Sequence, residues 1–511
     1  MSYRVNPAGK FVLILLSVSV LIGGFVYLKN NTNVLSKIAP KSKQGTVPKG
    51  IFGGGGKDDG VIKIGVVTWG GYAGGQYFNE GFEPSESSRY YKEYGIKVQF
   101  KVLDDFLASR AAWKADEVNL LWCTIDAFPT EVSGLSEYSP KVVFQADWSR
   151  GGDAIVAKQG INSTNDLIGK KIAVAFGTPS HTFLLYALDA GNLAYTDVEV
   201  IEVANAIDAA ATFKSGKVDA AVVWSPDDED CVTKVLGAKV LMSTKKASYI
   251  IADVFIAKDA WIQSHQKELK SLIEGWMTGA AEINSSDVAK KKAAKILSVG
   301  LKIDEAFCYN AINNTRLCTW GDNKRFFGID QLWTGMNGEK LYSKMTKVYR
   351  AIGLAKTTPG FEEVISITAL NTISPSGEQE AEGAVTYKAS EGKKAKVVST
   401  KSVTINFPTG VYTLDANSKT IVDIKFADLL QMSTNMIRIE GNTDNVGTKN
   451  ANIALSKKRA QSVADYLAQK YNISHERFMI IGNGPDKPVG DNSTDEGREK
   501  NRRTDFMLLE N

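Results

Sequence analysis

Gly177–Gly191 reads GTPSHTFLLYALDAG and follows directly on the apolar run Ile172–Phe176. Thr178 suits an N-cap and Pro179 the first helical position. Leu184, Leu185 and Leu188 then continue an apolar stripe, and Gly191 ends it. The segment is a strand, a turn and a helix. In open sheets built from such units, ligands sit beyond the carboxyl ends of the strands, where the N–H groups of Ser180, His181 and Thr182 at the helix start would face an anion. A well-capped helix without a ligand satisfies the same pattern, so this segment alone leaves both readings open.

Outward from it, Val61–Thr68 (VIKIGVVT) and Ile96–Val102 (IKVQFKV) alternate β-branched and polar residues as strands do. KKIAVAF at Lys170–Phe176, VEVIEV at Val198–Val203 and VDAAVVW at Val218–Trp224 add three more. Helical patterns separate these strands, which predicts βα units on a mostly parallel sheet. Residues 260–355 read as helices, with Leu269, Leu272, Ile273 and Trp276 on one face.

The chain has 511 residues, which calls for several domains. Hydrophobic residues are 43% and charged residues 23%, the balance of a globular rather than a disordered or multi-span protein. A net charge of +4 is too small a surplus for a dedicated nucleic-acid binder. The chain has four cysteines without a CxxC and three histidines, which argues against a zinc site, and no cofactor motif occurs. Nothing positive supports an enzyme, and no catalytic set is expected. Cys308 and Cys318 could close a loop in an oxidising compartment, or both could be buried thiols.

Phe11–Leu28 (FVLILLSVSVLIGGFVYL) is uncharged and just long enough to cross a bilayer. The expected organisation is a cytoplasmic tail over 1–10, an uncleaved transmembrane helix over 11–28 and a polar, Gly/Lys-rich tether over 29–60. A two-lobed domain over 61–365, a second linker over 366–399 and a C-terminal domain over 400–511 follow. In the last, Val403, Ile405 and Phe407 alternate as a strand, helices cover about 415–432 and 452–470, and MIRIEG, FMIIG and TDFMLL are further strands, an α+β sandwich. Arg459 borders the apolar stripe of Ser456, Ala460, Val463 and Leu467, so its guanidinium needs an anionic partner. Asp444 in the preceding loop supplies that charge, either to a ligand or simply by pairing with Arg459, Arg502 or Arg503.

Two resemblances sharpen this. QADWSRGGDAIVAKQGINSTNDLIGKKIAVAFGTPSHTFLLYALDAG, followed by AATFKSGKVDAAVVWSP, resembles the nitrate/sulfonate/taurine-type periplasmic substrate-binding proteins over about residues 61–355. That resemblance implies two α/β lobes closing on a small solute. It also implies contacts from Trp69, Gly70 and Tyr72, from Ser180, His181 and Thr182, and from Trp224 and Ser225; Asp253 in SYIIADVFIA either lines the cleft or bonds to backbone.

IRIEGNTDNVG, NIALSKKRAQSVADYL and GREKNRR are similar, in order and spacing, to the C-terminal peptidoglycan-associating domain of the OmpA family. This implies that Asp444 takes the ammonium and Arg459 the carboxylates of diaminopimelate in the wall's stem peptide. Thr443, Asn445, Asn452, Leu455 and Ser456 would shape that pocket, with Arg503 near it. A zwitterion needs one acidic and one forked basic partner placed together.

The expected protein is therefore a single-pass inner-membrane receptor or sensor, mostly periplasmic. It would be held on peptidoglycan and bind a small solute, anionic if the helix start is the site. The alternative is a scaffold between membrane and wall with an idle cleft.

Overall fold

The computed structural model describes residues 59–510, except 389–391, 393–394, 406 and 408–409. β-Branched residues at alternate positions build β1 (Val61–Val66), which lies parallel between β2 (Lys97–Val102) and β3 (Leu120–Thr124). β4 (Pro140–Ser149) then carries the chain out of this first lobe. In the second lobe β5 (Asp153–Ala157), β6 (Lys171–Ala175), β7 (Glu199–Val203), β8 (Ala220–Trp224) and β9 (Lys239–Ser243) form a sheet of order β7-β6-β8-β5-β9. β10 (Ala252–Lys258) returns to the first sheet between β3 and β4, and β11 (Thr315–Leu317) closes its edge, giving β11-β4-β10-β3-β1-β2.

The sheets are mixed, which corrects the expectation of a mostly parallel one. β1, β2 and β3 are parallel, as are β6, β7 and β8. The strands that carry the chain out of and back into a lobe, β4, β5, β9 and β10, pair antiparallel.

The loop after β1 is held by packing behind it. The helix Ala73–Phe78 lies on Gln266–Ser285 so closely that a Cβ at Gly75 would come 2.3 Å from the Trp276 ring. Trp276 is fully buried and meets Phe100, Phe144 and Phe255 with ring centroids 5.8, 5.0 and 4.9 Å away. Truncating so buried an aromatic costs about 3–5 kcal/mol, so the platform under Trp69–Tyr72 is rigid.

The C-terminal sheet has the order β12 (Lys396–Val403), β15 (Thr504–Glu510), β13 (Met436–Asn442), β14 (Phe478–Gly484). The helices Ala416–Met432 and Lys449–Tyr471 accompany it. Asp415 caps the first of these, accepting from Ser418 N at 2.7 Å. The second presses on β13 at Gly441, where a Cβ would stand 2.1 Å from Ser456 O. Only glycine permits that approach.

Two expectations change, and one open alternative is decided. Among the described residues no helix is long and apolar enough to cross a membrane. The described architecture is therefore a periplasmic-binding-like fold and an OmpA-like domain, which corrects the expected one by its transmembrane helix; the segment 11–28 on which that helix was expected lies outside the described residues. Part of the stretch expected as a second linker is a strap on the central domain. Glu382 pairs with Arg150 at 2.6 Å and its N–H donates to Asp322 at 2.7 Å, while Gly321 N donates to Gln379 O at 2.7 Å. β12 begins inside the same stretch. Finally, Cys308 and Cys318 are both buried free thiols.

Candidate functional site

Between the lobes lies a narrow cavity of about 40 Å³ that opens to solvent. From the first lobe come Trp69 and Tyr72 after β1, Trp122 on β3, Asp147 on β4 and Asp253 on β10; from the second come Asp153 on β5, Pro179 and Trp224. Asp147 and Asp253 are register partners across β4 and β10, which places two carboxylates side by side. Trp69 Nε1 donates to Asp147 Oδ2 at 2.7 Å. Glycines make this contact possible. A Cβ at Gly71 would fall 1.5 Å from Asp147 Oδ2, and one at Gly152 would fall 1.9 Å from the Trp69 ring. At the crossover, Ser149 Oγ donates to Asp153 Oδ2 at 3.2 Å and lies 2.9 Å from Thr244 Oγ1.

The helix start behaves differently from the expectation. The N–H groups of His181 and Thr182 are taken by Thr178 O at 3.0 and 3.1 Å, so neither is left to face an anion. Thr182 Oγ1 bonds the Tyr349 hydroxyl at 2.7 Å, and His181 stacks on Phe176 with centroids 4.8 Å apart. Burial lowers the His181 pKa to about 4, so this imidazole is neutral. Ser180, His181 and Thr182 therefore pack behind the cavity, whose wall from this helix is Pro179. Gly70 packs on the backbone of Ala311, and Ser225 bonds Gly152 O and Asn314, both off the cavity wall. Trp69, Tyr72, Trp224 and Asp253 do come together. Asp126, Asp147, Asp153 and Trp122 were missed; the signal was aspartates embedded in apolar strand runs, VVFQADW and LWCTIDAF.

Burial raises the carboxyls of Asp126, Asp147 and Asp153 to about 7, against the pull of Trp69 on Asp147 and of Ser149 on Asp153. Asp253 is pushed far above the carboxylate range by burial first and by Asp147 second. The nearby cations are engaged elsewhere: Arg150 by Glu382, and Arg110 by a fork to Glu131 at 2.7 and 2.9 Å. From about pH 4 to about pH 7 the folded chain keeps protons on these carboxyls that the unfolded chain has released. Stability is therefore greatest at low pH and declines as pH rises through that window, by about 1.4 kcal/mol per pH unit for each such group. Thermal unfolding of the unliganded protein should show a midpoint that falls from pH 5 to pH 8, with a shallower fall in Asp147→Asn. A midpoint that rises over that range would overturn the assignment of raised carboxyls.

In the C-terminal domain Asp444 stands in the loop between β13 and the helix Lys449–Tyr471. Its Oδ1 accepts from Val446 N at 3.1 Å and its Oδ2 from Arg502 Nη1 at 2.7 Å, and the Arg502 side chain is 43% exposed. Asn452 Nδ2 donates to Val446 O at 3.0 Å, and Thr443 N to Gly484 O at 2.9 Å, which pin the loop. Ser456 Oγ accepts from Gly484 N at 3.0 Å. Arg459 is 7% exposed; its Nε donates to Val411 O at 3.0 Å and its guanidinium lies 4.8 Å over the Phe407 ring. Burial lowers its pKa, which Asp444 opposes and Arg502 reinforces. Arg503 forks onto Asp505 instead, at 3.1 and 3.0 Å. Asn445 is exposed and Leu455 half-buried beside the loop.

These features define the class: a periplasmic-binding-like fold joined to an OmpA-like domain. Residues 406–502 match the family model described as OmpA family, and residues 138–298 the one described as NMT1-like family. The chain is 42% identical over 85 residues to outer membrane porin F of Pseudomonas aeruginosa, covering 16% of this chain and 24% of that protein. It is 40% identical over 72 residues to the peptidoglycan-binding protein ArfA of Mycobacterium tuberculosis, covering 14% and 22%. It thus spans about a quarter of the length of these relatives. Among solved structures, the periplasmic aliphatic sulphonate binding protein SsuA from Escherichia coli is similar with a TM-score of 0.48 and 15% identity, covering 64% of this chain and 97% of that one.

Proposed function

We propose that this protein is a non-enzymatic receptor of the cell envelope that holds peptidoglycan through its C-terminal domain and binds a small solute between its central lobes. The observation that carries the wall reading is the pairing at one site of a nearly buried arginine, Arg459, with an aspartate whose present ion-pair partner, Arg502, is largely exposed. A ligand ammonium restores a positive charge beside the mostly buried Asp444 carboxylate, so it can displace the half-exposed Arg502 without leaving that carboxylate unpaired. The ligand's carboxylate would then meet Arg459, whose burial makes an added anion worth more than at the surface. The match of residues 406–502 to the OmpA family, and the similarity to the peptidoglycan-binding protein ArfA, support the same reading.

The test is sedimentation of the full chain with diaminopimelate-type peptidoglycan. Pelleting that free diaminopimelate reverses is the expected result. Absence of pelleting would overturn the wall reading and recast the domain as a protein-interaction module. A scaffold with an idle cleft predicts pelleting with no response to any solute, whereas a receptor is stabilised by its solute according to RT ln(1 + [L]/Kd).

A further inference from the structure

The walls of the central cavity carry Asp147, Asp153 and Asp253 but no Lys, Arg or His. Asp147 and Asp153 are 1% and 5% exposed, and each keeps one carboxylate oxygen, Oδ1, without a hydrogen-bond partner. Independently of the acids, Trp122 Nε1 is also buried without a partner on the same cavity, beside Tyr72, whose hydroxyl faces Asp253. Buried polar atoms are nearly always satisfied, so unsatisfied ones gathered on one cavity are waiting for a ligand. The remaining wall is aromatic: Trp69 and Trp224 join Tyr72 and Trp122.

From this arrangement, and resting on the solute-binding reading above, we infer that the cleft selects an organic cation, an ammonium or amidinium on a small flat or apolar body. A positive group gains from the carboxylates and from the negative faces of the rings at once. An anion would meet like charge with no cation on the wall and no N–H of His181 or Thr182 to receive it, which replaces the anionic solute expected from the helix start. Among the described residues no three acidic, His or Cys side chains stand close enough to share a metal ion, so a cation spread over a molecular frame fits better than a compact one.

The experiment measures binding to the full chain at pH 8, where carboxyls raised to about 7 are ionised. The probes are benzamidine, tyramine and choline against their anionic counterparts benzoate, benzenesulfonate and taurine, at constant ionic strength. Binding of at least one cation and no anion is expected. Asp147→Asn should weaken it at least tenfold. That variant is isosteric, keeps an oxygen acceptor for Trp69, and removes a buried like charge, so it should be at least as stable as wild type. Gly152→Ala should abolish it, because the added Cβ drives Trp69 into the cavity. Binding of an anion that Gly152→Ala also blocks would overturn the cation assignment and keep the solute cleft. Failure of all six probes at millimolar concentration would overturn both, as would cation binding that survives Gly152→Ala.

Discussion

Asp444→Ala and Arg459→Ala are each expected to cut retention on diaminopimelate-type peptidoglycan at least tenfold, and together to abolish it. Each removes one half of a charge-assisted contact, worth about 1.5–3 kcal/mol, and about 1.4 kcal/mol is already a factor of ten. Arg459→Lys should fail almost as badly as alanine, since an ammonium cannot fork onto a carboxylate and cannot stack on Phe407 as a planar guanidinium does. Arg502→Ala provides the informative contrast. Arg502 competes with the ligand for Asp444, so its loss should leave retention unchanged or raise it. A loss of retention in Arg502→Ala equal to that in Arg459→Ala would show that Arg502, rather than Arg459, carries the ligand's carboxylate. Thermal midpoints measured on the same samples separate a binding defect from an unfolded domain.

Arg477→Ala is expected to be the most destabilising single change in the C-terminal domain. Arg477 is 4% exposed, and its guanidinium donates to Asn435 O at 2.8 Å, Leu430 O at 2.8 Å and Ser433 O at 2.7 Å, with Ser433 Oγ at 3.2 Å. Leu430 and Ser433 lie at the end of the helix Ala416–Met432, so the arginine satisfies carbonyls that have no helical partner and opposes the negative end of the helix dipole. Alanine would leave three carbonyls buried and unmet, a cost of about 3–5 kcal/mol. For a domain of this size that corresponds to a fall of more than about 10 °C in the unfolding midpoint. Arg477→Lys should recover only part of it, because one ammonium cannot span three separated acceptors. A loss under about 1 kcal/mol in Arg477→Ala would mean that water replaces the guanidinium and that the cap is dispensable.

The two halves of the protein differ in how much was legible beforehand. In the C-terminal domain both helices and the last three strands stand close to where periodicity and alternation put them, whereas the first strand, expected over Val403–Phe407, lies over Lys396–Val403; Asp444 and Arg459 are joined by one loop and about three helical turns. Such a site is local, so a short stretch of sequence contains it. What that stretch did not contain was Arg502, some forty residues on, which holds Asp444 in the unliganded protein.

In the central domain β1, β2, β6, β7 and β8 were readable, whereas β3, β4, β5, β9, β10 and β11, and with them the cleft, were not. Asp126, Asp147, Asp153 and Asp253 follow no periodic pattern and lie far apart in the chain. They converge because β10 inserts antiparallel between β3 and β4, bringing Asp253 level with Asp147 and Thr124. The helix start at Pro179–Ala190 was correctly read as a helix start, yet the N–H groups of His181 and Thr182 turned out to be spent on Thr178 O.

Periodicity, capping residues and turn chemistry act within one segment. The sequence by itself therefore determined five of the central strands, the C-terminal helices and the placing of Asp444 and Arg459 on one loop and the helix after it, while the two-lobed and OmpA-like architectures came from resemblance. Strand order and lobe crossover arise from contacts between segments a hundred residues apart. Only the tertiary structure decided that the carboxyls of Asp147, Asp153 and Asp253 line one cavity, because the charge of a cavity is a property of which walls meet, and no single wall records it.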